Sequence, residues 1–284
     1  MAKEKSPVKH FFDQSFQGKE KQLRVHLQLS KSRLYLAYFH ASRNTYVGIE
    51  EYHLGEHEHW NQAYEKIDPL FAALSKKYKA YSIALIDPNF SLIPTPLFSS
   101  ENAVDYLQFD HKELNEDLQL EQQEIESLNA TVIFATPQKL FQLIKKHFTL
   151  FQLNHFITPL LEYCEINKAD AKQQLLIHVQ KDHFEVIYYK QKKLSFFNSF
   201  QYKKTEDFLY FFLYVLEQLY LNREELKVQV FGEIDKNDEL YKMLYQYIAE
   251  VEFLSPPKEL KFSTVLSTLA PQYYRNLFNQ YLCE

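Results

Sequence analysis

At 284 residues, with 46% hydrophobic and 24% charged side chains, the chain is long enough for two ordinary domains and too apolar to be disordered. A formal net charge of −5 excludes a nucleic-acid binder held by bulk electrostatics. No apolar run approaches the roughly 18–20 residues of a membrane helix, Met1-Ala2-Lys3-Glu4-Lys5-Ser6 is too polar for a secretory signal, and Cys164 and Cys283 match no zinc or redox spacing, so the expected location is the cytoplasm.

Residues 1–20 form a lead-in of Lys, Asp, Gln and Phe without clean periodicity. From Gln22 to Leu29 the apolar Leu23, Val25, Leu27 and Leu29 alternate with Arg24, His26 and Gln28, the period of a strand. After Ser30-Lys31-Ser32 the alternation resumes at Leu34, Leu36 and Tyr38, and Tyr46 to Tyr52 completes a meander. Trp60, Tyr64, Ile67, Phe71, Leu74 and Tyr78 recur at helical spacing, while Asp68-Pro69 has the form of an N-cap, so the stretch reads as one helix or two. Tyr81 to Ile86 is a strand ending in the turn Asp87-Pro88-Asn89.

Strand and helix then alternate again. Thr131 to Ala135 is a strand, Thr136 caps a helix with Pro137 first, Phe151 to Ile157 is a strand, and Thr158-Pro159 opens another helix. This predicts a small inserted α/β subdomain over about 99–157. Beyond it the opening pattern returns. Gln22-Leu23-Arg24-Val25-His26-Leu27-Gln28 is matched by Gln174-Leu175-Leu176-Ile177-His178-Val179-Gln180, with Phe184, Val186 and Tyr188 following as Leu34, Leu36 and Tyr38 do, after a turn two residues shorter. A third strand at Leu194–Tyr202, a helix at Thr205–Leu221 and a strand at Lys227–Phe231 ending at Gly232 preserve the order. The pattern predicts an internal duplication, with domains over 21–170 and 171–284.

A duplicated three-strand meander followed by helix, strand and helix resembles the actin-like ATPase superfamily. The resemblance is closest to an uncharacterised bacterial family of actin-like-fold proteins, and more distantly to the pilus-assembly and cell-division members PilM and FtsA. It implies an α/β, duplicated actin-like (ribonuclease H-like) ATPase fold. The segment Val228-Gln229-Val230-Phe231-Gly232-Glu233, with a helix at Glu239–Ile248 and a strand at Val251–Phe253, is similar to the superfamily's adenosine element. Active members carry an Asp at the first hairpin to order Mg²⁺ and a Gly that admits phosphate to backbone N–H groups. The matching positions here hold Gln28 and Ser30, beside Lys31 and Ser32; Gln180 stands for the second Asp, the turn Lys181-Asp182-His183 has no Gly, and Gly232-Glu233 replaces paired glycines. Gln cannot supply a carboxylate's charge to a hard cation, and only four glycines exist in the whole chain. The expectation is a retained fold with a degenerate nucleotide cleft formed by Gln28, Ser30, Lys31, Ser32, Gln180, Asp182, Gly232 and Glu233, disfavouring ATP and Mg²⁺ as cofactors. Asp182 reads as a solvated turn residue, with cation coordination as the alternative.

Other constellations favour ordinary structure over chemistry. His53, His57 and His59, interleaved with Glu56 and Glu58, have ligand character, but Gly55 breaks any shared helical face, which leaves a polar loop. The aromatics of Tyr188–Lys204 fall where a meander needs them and its lysines fall mainly at turns, so core and solvated loops outweigh a stacking platform for nucleic acid. The helix Thr205–Leu221 is aromatic on nearly every side, which predicts burial within its own domain rather than a partner surface. The C-terminal Tyr273, Tyr274, Leu277, Phe278, Tyr281 and Leu282, with Arg275 as their one basic neighbour, are expected to pack on the second domain. The functional expectation is a non-catalytic binding or scaffold protein with a protein partner, as resemblance to PilM and FtsA implies for an envelope assembly. The alternative is a divergent ATPase or sugar-kinase-like phosphotransferase using Asp182 or Glu233.

Overall fold

The computed structural model describes residues 6–57, 59–110, 117–255, 260–270 and 272–283. It divides into two compact units, the first drawn from Met1–Glu165, Lys258–Thr268 and Asn276–Glu284, the second from Ile166–Pro257 and Leu269–Arg275. No helix among the described residues is long and apolar enough to cross a membrane.

The first unit runs β1 (Lys9–Phe12), β2 (Arg24–Leu29), β3 (Arg33–His40), β4 (Thr45–His53), α1 (Tyr64–Lys77), β5 (Ala80–Leu85), β6 (Phe90–Pro94), α2 (Ala103–Asp110), β7 (Leu118–Ile125), β8 (Ala130–Pro137), α3 (Gln138–His147), β9 (Phe151–His155) and α4 (Ile157–Ile166). Its main sheet has the order β1-β4-β3-β2-β5-β9; the meander β2-β3-β4 is antiparallel, and β5 and β9 add in parallel. The lead-in is thus partly a strand, because β4 offers its free edge to Lys9–Phe12. The inserted sheet, β6-β8-β7, begins at Phe90, earlier than expected; β9 belongs to the main sheet instead. Leu107 of α2 packs with Ile133 and Ala135 to give the insert a small core of its own.

Helix starts depart from the sequence reading. The first long helix is single and carries Pro69 inside it; Asp68 binds Lys146 Nζ (2.9 Å) and His147 (2.6 Å) of α3 rather than capping. Thr136 is still in β8, so α3 begins at Gln138 with no side-chain cap. Thr158 lies inside α4 and donates to Gln123 Oε1.

The second unit runs β10 (Gln173–Val179), β11 (His183–Lys190), β12 (Lys193–Gln201), α5 (Thr205–Gln218), β13 (Lys227–Gly232), α6 (Glu239–Tyr247) and β14 (Glu250–Phe253), with sheet order β12-β11-β10-β13-β14. Strand order and direction equal those of β4-β3-β2-β5-β9. Even the irregularity matches. The β3–β4 register shifts between Tyr38 and Phe39, and the β11–β12 register between Tyr188 and Tyr189. Hairpin pairing sets Leu29 opposite Leu34 and Val179 opposite Phe184 as the last pairs before each turn. Gln180 is therefore the counterpart of Ser30, and His178 of Gln28. The two turns have equal length, and the recurrent Gln-Leu-x-x-His-x-Gln pattern is two residues out of step with the strands.

Alternation implied half-exposed strands, yet β2 and β3 are buried on both faces. Val25, Leu27, Leu36 and Tyr38 share the α1 side. The opposite side is covered by the C-terminal tail, where Tyr46 Oη donates to Phe278 O (2.6 Å) and meets His26 Nδ1 (2.7 Å), and Gln280 Nε2 donates to Leu27 O (3.0 Å). A polar chain extends from Gln280 through Ser82 to Asn154. The tail and β15 (Lys261–Phe262), which pairs with β4, thus belong to the first unit, not to a second domain spanning 171–284; a sheet buried on both faces requires that cover.

Tyr46→Phe removes the hydroxyl that joins His26 to the tail. It should lower the unfolding free energy by about 1–2 kcal/mol in urea titration, with amide exchange accelerated at residues 276–283 and unchanged in β10–β14.

Candidate functional site

Gln28, Ser30, Lys31 and Ser32 lie at the end of β2 in the first unit, and Gln180, Asp182, Gly232 and Glu233 at the ends of β10 and β13 in the second. In the first, the Ser30 N–H donates to Arg33 O (2.9 Å), and the Ser30 hydroxyl accepts from the N–H groups of Ser32 (3.3 Å) and Arg33 (3.1 Å). Two amides of this turn are thereby engaged by a side chain. Lys31 and Ser32 form the turn itself, and Ser32 O accepts from the Leu54 N–H. Gln28, 4% exposed, buries its Nε2 without a hydrogen-bond partner among the described residues. The carboxylate at this end of the sheet is Asp87, which sequence reasoning took only as part of a turn. Its Oδ1 accepts from the backbone and side-chain N–H groups of Asn89 (3.0 and 2.7 Å), and its Oδ2 from Trp60 Nε1 (3.0 Å).

The second cluster is built on β10 and β11 and was missed as a unit. Glu185, fully buried, contacts His178 Nδ1 (2.7 Å), accepts from Ser199 Oγ (2.8 Å) and lies 3.6 Å from His183 Nε2. Gln180 Nε2 is 3.2 Å from His178 Nε2, and Tyr202 Oη donates to Gln180 O (2.6 Å). Asp182, largely exposed, meets His183 Nδ1 at 2.7 Å. Hairpin pairing alone would have revealed the cluster, because His178 and Glu185 are directly opposed across the strands. Burial pulls the His183 imidazole pKa down, but the Glu185 charge, then the Asp182 hydrogen bond and charge, and finally Glu233 outweigh it, leaving the imidazole above its ordinary value. Tyr202 is pushed well up by burial, then by the charges of Glu233, Asp182 and Glu185.

Gly232 has φ +98°, and a Cβ there would lie 2.1 Å from Val179 O. Its bareness serves close passage over β10, where the Glu233 N–H donates to Val179 O (2.7 Å).

The His53, His57 and His59 segment does not converge. His53 Nε2 faces Glu51 (3.0 Å), His57 Nε2 faces Leu54 O (2.8 Å), and Glu58 lies outside the described residues. Among the described residues no group of three or more His, Cys, Asp or Glu side chains is placed to hold a metal. In Tyr188–Lys204, Tyr188 and Tyr189 are buried, and Gln191 and Lys192 form a tight turn at positive φ. Helix α5 buries Phe208, Phe212, Val215 and Leu216 but exposes Tyr210 and Tyr214, so burial on nearly every side is corrected to one covered face.

With this topology on both sheets, the class of protein is defined. A crystal structure from Bacteroides thetaiotaomicron, described as having an actin-like ATPase fold and unknown function, is similar with a TM-score of 0.77 at 20% identity, covering 94% of this chain and 98% of that one. The PilM-PilN type IV pilus biogenesis complex is similar with a TM-score of 0.62 at 11% identity, covering 92% and 98%. The fold is the actin-like ATPase fold. The chain belongs to the family described as "Protein of unknown function (DUF3822)", whose model matches residues 13–251. No curated protein matches it.

Two measurements check this geometry. Since His183 holds its proton more tightly folded than unfolded, its stabilising contribution is complete below the unfolded value of ~6.5 and is lost as pH rises through the elevated folded one. The stability gap between wild type and His183→Gln in urea titration should therefore be larger near about pH 6 than near about pH 9. Gly232→Ala forces both an unfavourable φ and a clash with Val179 O, and should cost about 2–5 kcal/mol by the same assay.

Proposed function

We propose that this chain is a non-catalytic, cytoplasmic actin-fold protein that acts as a binding or scaffold module, with a nucleotide site that has lost its chemistry. One observation carries the reading: the Ser30 hydroxyl accepts from the Ser32 and Arg33 N–H groups at the turn where active members receive phosphate. Gln28, neutral and buried, supports it from the same strand. The shared strand order and bulge position of the two units support descent from a duplicated ribonuclease H-like ancestor.

The phosphotransferase alternative draws less support. Asp182 is tied to His183, and Glu233 sits within electrostatic reach of the same histidine and of Tyr202. Phosphoryl transfer needs charges free to hold Mg²⁺ and the transferring group. For the partner, likeness to PilM in its complex with PilN supports a protein of an envelope assembly, reached from the cytoplasmic side.

Calorimetry with Mg-ATP and Mg-ADP tests the proposal. No saturable heat is expected up to about 0.1 mM nucleotide; micromolar affinity together with phosphate release would overturn the non-catalytic assignment.

A further inference from the structure

Between α1 and the β3–β4 face lies a cavity of about 440 Å³, wholly within the first unit. Its volume is that of an ordinary small-molecule site. Two features of α1 make the space. Pro69 lacks the N–H that the Glu65 carbonyl would take, and Ala73, one turn on, presents only a methyl group. Leu36, Leu70 and Leu74 supply apolar wall.

The polar content is concentrated on one side chain. The Glu50 carboxylate, 13% exposed, accepts from Tyr52 Oη (2.6 Å) and faces His10 Nδ1 (2.9 Å). A carboxylate has about four acceptor positions, so these two donors do not fill it. Burial, followed by the charge of Glu50, drives the Tyr38 phenol pKa upward. Tyr38 and Tyr78 stack with centroids 5.1 Å apart, and Tyr52 adds a third ring to the lining. Aromatic faces carry negative potential and, beside a carboxylate, favour an organic cation. Of the other charged groups in the lining, Glu65 is exposed and adds to that preference, Lys66 Nζ donates to Leu54 O, and Lys77 is exposed. An anionic ligand would meet the Glu50 charge, and a wholly apolar one would desolvate that carboxylate further without adding a donor to it.

We propose that this cavity binds a small organic cation, an ammonium or guanidinium on an apolar stem, with Glu50 as its counter-charge. The site is independent of the nucleotide reading.

The test is calorimetry on the full chain with 2-phenylethylamine, set against 2-phenylethanol and phenylacetate as size-matched neutral and anionic probes. Saturable one-site binding of the amine is expected, with the alcohol at least about tenfold weaker and no binding of the carboxylate. Glu50→Gln should abolish the preference for amine over alcohol, and Ala73→Phe, which fills the cavity, should abolish binding of both. Absence of saturable amine binding, or an alcohol that binds as tightly as the amine, overturns the proposal on the wild-type protein alone. Amine preference that survives in a folded Glu50→Gln protein overturns the role of that carboxylate.

Discussion

The first sheet is covered on both faces, and much of the first unit follows from that constraint. A strand buried on one side can point its polar residues at water; β2 and β3 cannot. His26 therefore meets Tyr46, Tyr46 reaches Phe278, and the chain must return from far along its sequence to provide the second cover. In the second unit the buried polar pair His178 and Glu185 is matched across neighbouring strands. In both, a buried polar group is costly without a partner and worthwhile with one, which favours one register over its neighbours.

Sequence patterning disclosed what is local. The meanders, α5 and β13 stand close to where their own residues put them, and α6 and β14 stand where the resemblance implied them. Strand β1 was invisible since four residues carry too little pattern, and only the free edge of β4 makes them a strand. Strand β7, Leu118–Ile125, is rich in Gln and Glu, and pairing with β8 decides it. Asp68-Pro69 and Thr136-Pro137 have the composition of caps, yet tertiary context decides both: the Asp68 side chain binds α3, and the Thr136 backbone pairs with Gln119 in the β7–β8 ladder.

The site was legible as chemistry and not as geometry. The expectation that Gln28 and Ser30 take the places of a carboxylate and a glycine rests on a resemblance in residue types. That the Ser30 hydroxyl closes its own turn is a statement about distances, and nothing in the sequence carries it. The shared Gln and His positions drew the eye to a match two residues out of step, because similar words were weighed where the last ladder pair before each turn should have been. Asp87 escaped notice since its partner Trp60 lies 27 residues earlier.

That last contact has a practical side. Trp60 is the chain's sole tryptophan, nearly buried, with its indole N–H fixed on a carboxylate in the first unit. Ultraviolet emission excited at the red edge of the indole band is consequently a spectroscopic window onto one half of the molecule, while the other half stays dark at that wavelength. Comparing that signal with the circular dichroism of the whole backbone distinguishes a protein that melts as one body from one whose halves melt in turn.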